Sequence, residues 1–129
     1  MTIDSAGMQA LSRGQCLRLL SSMPIGRVVF TDRALPAVQP VRFLMDGEHI
    51  VIRTVAGSKL AAATRDAIVA FEVDDFDPQM SSGWSVTAIG RARGVHDAGE
   101  IAHLSTLALI GGGDHFVVIG TEEISGRLV

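Results

Sequence analysis

The segment Trp84–Val95, WSVTAIGRARGV, alternates apolar and polar side chains for longer than any other part of this 129-residue chain. Trp84, Val86 and Ala88 share one face, while Ser85, Thr87, Arg91 and Arg93 share the other. A period of two describes a strand with one dry and one wet face, and such strands assemble into antiparallel sheets. Neighbouring segments agree. Gly26–Thr31 is a β-branched run, Ala67–Asp75 sets Ala67, Val69, Phe71 and Val73 on one side, and Asp46–Gly47 between apolar runs signals a hairpin into His49–Thr54. Pro36–Met45 is extended with Pro40 inside it, so this strand must have an edge, an interruption or a bulge there. His115–Val129 closes the chain as one or two strands.

Helices are inserted between these strands without strict alternation. Leu11–Met23 opens on a capping box, Ser12 and Gln15, aligns Cys16, Leu19, Leu20 and Met23, and ends at Pro24. Ala56–Asp66 is alanine-rich with Gly57–Ser58 as its entry. Asp97–Ile110 aligns Ile101, Leu104 and Ala108 before a flexible Gly111–Asp114 break, and Phe76–Gly83 reads as a loop. Roughly six or seven short strands with interspersed helices argue against a doubly wound parallel sheet and for an antiparallel barrel with helices packed outside, a mainly β chain with α in the α+β class. Residues 1–10 read as a poorly ordered lead-in and residues 11–129 as one domain.

Composition narrows the function classes. No apolar run is long enough to span a membrane, and the N-terminus has neither the basic cluster nor the apolar core of a secretory signal. Cys16 is the lone cysteine and lies on the buried face of its helix, so disulfides and thiolate metal sites are excluded and a cytoplasmic setting is expected. A net charge of −3 leaves no footprint for nucleic acid. His49, His96, His103 and His115 show no metal-ligand spacing, and neither a nucleophile elbow nor a phosphate-binding P-loop is present. The acidic run Glu72–Asp77 reads as a solvated strand end.

Ten arginines accompany a single lysine, Lys59, which follows Gly57 and Ser58 at a strand-to-helix handover. Arg53 can fork onto phosphate oxygens, Thr54 and Ser58 offer hydroxyls, and Lys59 is a compact cation, so the cluster suits an anion. Spacing alone equally admits a capped helix with one solvated lysine. Trp84, the sole tryptophan, reads either as a core or subunit-interface residue or as a ring packed beside a flat cofactor, with Ser82 and Ser85 near it.

Taken in order, GRVVFTDRALPAVQPVRF, IVIRTVAGSKLAAA, AFEVDD, SGWSVTAIGRAR and EEISGR resemble the pyridoxamine 5′-phosphate oxidase-like flavin-binding split-barrel family. The resemblance implies a six-stranded antiparallel split barrel, a homodimer with cofactor sites at the subunit interface, and FMN as the usual ligand, with the deazaflavin F420 or haem in some members. It implies a phosphate site at Arg53, Thr54, Ser58 and Lys59. The backbone of Pro40, Val41 and Arg42 becomes a wall beside the isoalloxazine ring, and Ser82, Trp84 and Ser85 a second contact across the dimer. The function implied is an oxidoreductase passing hydride or electrons between flavin and a small substrate, with an F420-dependent reductase or a non-catalytic flavin- or haem-binding dimer as alternatives. No catalytic side chain is assigned. Many relatives carry asparagine where this chain has Arg42, which alters the substrate side.

Overall fold

The computed structural model describes residues 3–4, 7–108 and 111–129. Along the chain lie β1 (Gln9–Ala10), α1 (Arg13–Ser21), β2 (Ile25–Asp32), β3 (Leu35–Asp46), β4 (His49–Thr54) and α2 (Lys59–Ala63). Then come β5 (Ala67–Asp77), β6 (Ser82–Gly94), α3 (Ala98–Ser105), β7 (His115–Ile119) and β8 (Glu123–Leu128). All pairings are antiparallel, in the order β6-β5-β2-β3-β4-β7, and β7 returns to β6. The result is a closed six-stranded barrel, with β8 and then β1 added outside it on β6.

The long alternating strand makes this possible because one of its edges serves two partners. Trp84–Ile89 pairs with β8, and Ala92–Gly94 pairs with β7. Gly90 sits where the two partners part. A Cβ there would stand 2.1 Å from the Gly120 carbonyl oxygen and 2.6 Å from the Glu122 carboxylate, so the chain can cross from β7 to β8 only over a glycine.

Inward residues of every barrel strand fill one core, with Val28, Phe43, Ile52, Phe71, Ala88 and Ile119 among them, and Leu20 of α1 and Leu60 of α2 plugging it. Phe43 meets Phe71 edge-on with centroids 4.8 Å apart. A second cluster lies outside the barrel, where Leu104 of α3 and Val95 cover Val51, Phe116 and Val118. This explains why Val51 is buried although the alternation of β4 turns it outward. Helix α1 begins with the expected reciprocal Ser12–Gln15 capping box. Cys16 is fully buried, and burial pushes its thiol pKa up.

Several expectations need correction. The lead-in is tied down in part, since Gln9 and Ala10 pair with Leu128 and Arg127 and Asp4 ion-pairs with Arg127 at 3.1 Å. Helix α2 is five residues rather than eleven, because Thr64 caps it and turns its hydroxyl back onto the Leu60 carbonyl. The segment read as a loop is half strand, for β5 continues through Phe76 and Asp77 and β6 starts at Ser82, which leaves Pro78–Ser81 as the turn. Helix α3 stops at Ser105, which leaves Ala108 outside it and Ile101 exposed; Leu109 and Ile110 lie outside the described residues.

On the outer face, Arg27 bridges two carboxylates of β5, Glu72 at 3.0 Å and Asp74 at 3.1 Å. Burial and the neighbouring Asp74 push the Glu72 carboxyl up to about 7, against the lowering influence of Arg27. Between the usual value near 4.5 and about 7 the native state therefore holds more proton than the unfolded chain, and this group's contribution to stability falls as pH rises. Glu72→Gln, neutral throughout, should gain stability over the wild type as pH increases from about 5 to about 8 in urea melts, and a constant difference would exclude the coupling. Gly90→Ala should destabilise the barrel by at least about 1–3 kcal/mol, since backbone must move to admit one methyl group. An unchanged denaturation midpoint would show that the branch point is not tightly packed.

Candidate functional site

Strands β3 and β4 pair only from Phe43↔Ile52 to Asp46↔His49. Beyond Phe43, β3 follows β2, with Pro40 opposite Arg27, whereas β4 follows β7, with Arg53 opposite Phe116 and Thr54 opposite His115. The strands therefore fork. In the fork lies a cavity of about 450 Å³, walled by Gln39–Arg42 on one side and Arg53–Val55 on the other, with Ser58, Gly111 and Gly112 completing it. The edge expected at Pro40 is this open side of β3. Gly113 allows the third wall to lie directly on β4, since a Cβ there would stand 2.2 Å from the Thr54 carbonyl oxygen at a φ of +127°. Asp114 fastens the same segment by accepting the Ala56 N–H at 3.2 Å, a bond that holds its carboxyl below the usual range.

The cavity is cationic. Arg42 and Arg53 both line it, and among the described residues no carboxylate does. Among the described residues, Arg13, Arg27, Arg91, Arg93 and Arg127 all pair with acids, and neither Arg42 nor Arg53 does. The Arg53 guanidinium rests 5.1 Å from the centroid of the Phe116 ring, a cation–π contact that leaves its N–H groups unspent. Its Nε is buried and has no acceptor among the described residues. A buried donor on a charged group without a partner is costly, and the guanidinium, which lines the cavity, keeps its remaining N–H groups for an anion in the fork.

Two hydroxyls add to this. Thr54 Oγ1 and Ser58 Oγ are 3.0 Å apart, and Ser58 Oγ also accepts the Ala61 N–H as the cap of α2. The pair owns two hydroxyl hydrogens and spends one on their mutual bond. Whichever way that bond points, one hydroxyl remains able to donate.

Of the residues singled out from the sequence, Pro40, Val41, Arg42, Arg53, Thr54 and Ser58 meet at this cavity. Lys59 does not line it. Its side chain is 79% exposed and its ammonium lies 3.9 Å from Asp32. The helix start is also a weaker contributor than expected, because a five-residue α2 sums few peptide dipoles and Ser58 already takes the Ala61 N–H. Ser82, Trp84 and Ser85 lie elsewhere in the chain, at the start of β6, where Trp84 and Ser85 pair with β8 and Trp84 packs against the main core. Gln39, Val55, Gly111, Gly112 and the Phe116 beneath Arg53 were missed. The glycine run was a visible signal; the Phe116 contact depends on the β4–β7 pairing, which nothing local announces.

A profile of the pyridoxamine 5′-phosphate oxidase family matches residues 12–127. The chain is 40% identical over 102 residues to the uncharacterized protein Rv0080 of Mycobacterium tuberculosis, covering 75% of this chain and 67% of that one. It is similar in structure to an FAD binding protein from Mycobacterium smegmatis, with a TM-score of 0.81, 34% identity, and 92% and 95% of the two chains covered. A conserved protein of unknown function from Corynebacterium diphtheriae superposes with a TM-score of 0.79 at 33% identity, covering 93% of this chain and 96% of its own. With the closed barrel, the fork and this span of similarity in hand, the chain belongs to the pyridoxamine 5′-phosphate oxidase family.

Proposed function

We propose that this protein binds a flavin in the fork between β3 and β4 and serves as an oxidoreductase for a small substrate. The observation that carries the reading is Arg53, half-buried on an aromatic ring with no acid paired to it among the described residues, lining a cavity that holds no carboxylate among those residues. That chemistry fits the phosphate of FMN, the ligand first expected, and equally that of FAD, which the M. smegmatis neighbour is named for binding. The cavity volume, about 450 Å³, falls within the roughly 300–1,000 Å³ of ligand clefts.

Bound flavin would supply the hydride or electron chemistry, and the protein supplies placement and field. Arg53 and the spare hydroxyl of the Thr54–Ser58 pair hold the phosphate. The open backbone edge of Pro40, Val41 and Arg42 flanks the ring, and Arg42 gives the substrate side a second positive charge that favours an anionic reactant. F420 would use the same anion grip and is the alternative a spectrum separates. Haem is not favoured here, since no histidine lines the fork among the described residues.

The reading includes a homodimer. The outer faces of β2, β3, β5 and β6 leave Ile25, Val38, Ile68 and Ile89 between 43% and 61% exposed, an apolar set that a second copy would cover. Such a copy could also bring Ser82, Trp84 and Ser85 to the fork, which they do not reach within one subunit.

Titrating FMN into the purified apoprotein and following its fluorescence tests the site. Arg53→Ala should weaken binding by about 10- to 100-fold, the worth of charge-assisted hydrogen bonds, while Lys59→Ala changes it by less than about threefold. Unaltered affinity in Arg53→Ala would remove the flavin site from the fork. Sedimentation should show a dimer that Val38→Asp converts to monomer without changing the circular dichroism, and a wild-type monomer would refute the shared interface.

A further inference from the structure

The four histidines look unrelated in sequence, yet the fold brings two of them together. His96 follows β6 and His115 opens β7, and their ring centroids lie 5.7 Å apart at an interplanar angle of 41°. Gly94 permits this. A Cβ at that position would stand 2.9 Å from both Cε1 and Nε2 of His115 and 3.3 Å from Nε2 of His96, so the rings lie over bare backbone. They form one side of a cavity of about 170 Å³ whose other walls are Ala56, Gly57, Ala61 and Arg65.

This cavity abuts the fork. Val55 and Ser58 line the larger cavity, and Ala56 and Gly57, the two residues between them, line the smaller. The tight turn that carries them is closed by the Ser58 N–H to the Val55 carbonyl at 3.1 Å. Its crest is bare. Gly57 has a φ of +85° and no atom within 4 Å of where a Cβ would stand, so a ligand chain can pass over the turn without meeting a side chain.

We infer that the smaller cavity seats the adenine nucleotide half of a flavin dinucleotide whose flavin half lies in the fork, an inference that rests on the flavin reading above. At about 170 Å³ it is less than half the size of the fork, about 450 Å³, and suits a two-ring purine better than a three-ring flavin. Two imidazoles offer faces for stacking and, in either tautomer, ring nitrogens for the purine edge. Arg65 is exposed and makes no ion pair among the described residues, which leaves its fork of donors for the pyrophosphate. Asp114, beside His115, is engaged by the Ala56 N–H rather than by Arg65. A cation is disfavoured here. The guanidinium repels it, and no group of three metal-ligating side chains exists among the described residues.

Calorimetric titration of the full chain with FAD, FMN and ADP separates the possibilities. FAD should bind about tenfold more tightly than FMN, the gain expected from stacking and a second anionic contact. The double variant His96→Ala/His115→Ala and, independently, the surface variant Arg65→Ala should each lose most of that gain and leave FMN affinity within about twofold. ADP should bind weakly to the wild type and not to the double variant. Equal affinities for FAD and FMN in the wild type, or equal losses for both flavins in the variants, overturn this inference and leave the fork intact as a flavin site. Binding of neither flavin overturns both readings.

Discussion

Strand pairing between β3 and β4 stops at Phe43 and Ile52, and the candidate site exists because of that stop. Each strand continues in company, but with a different neighbour. The β2–β3 ladder runs on through Arg42, and the Phe43 N–H reaches the Pro24 carbonyl at 3.2 Å. Arg53 and Thr54 are drawn away by β7. The barrel closes where β7 meets β6 through only Ala92, Arg93 and Gly94. The short seam and the open fork are two ends of one arrangement, and Gly90 protects the seam by letting the chain cross over it.

The fold also sorts its positive charge. Five arginines are tied to carboxylates on the outer surface, where ion pairs contribute little energy but fix side-chain positions. Arg53 is placed against Phe116 instead, a contact that orients a guanidinium without satisfying its donors. Keeping acids out of the fork matters as much as placing cations in it. One carboxylate in the lining would cancel the attraction for a phosphate at the short range where it is strongest.

Much of this was legible in the sequence, for identifiable reasons. Period-two alternation in Trp84–Ala88 and in Ala67–Val73 gave the strands and their inner faces, and the Ser12–Gln15 pair gave the start of α1. Arg53, Thr54 and Ser58, expected from a strand end and turn, and Pro40–Arg42, expected from the family resemblance, all line one cavity. Lys59 drew notice through its rarity, which says nothing of where a side chain points, and it lies outside the cavity lining. Alanine propensity overextended α2, and the polar composition of Phe76–Gly83 hid a hairpin whose strands are held by long-range pairing. The meeting of His96 and His115 was invisible because it depends on the register between β6 and β7.

The fork has a further consequence for how the molecule behaves in crowded solution. From Leu35 to Arg42 one side of β3 has no strand beside it among the described residues, a template onto which a stray strand could add. Pro36 and Pro40 fall at the same phase of that strand, so both missing N–H groups lie on one edge, and the unbroken β2 ladder puts that edge toward the opening. The backbone that receives a ligand is thereby a poor acceptor for amyloid-like growth, and the same imino acids that shape the pocket guard it against aggregation.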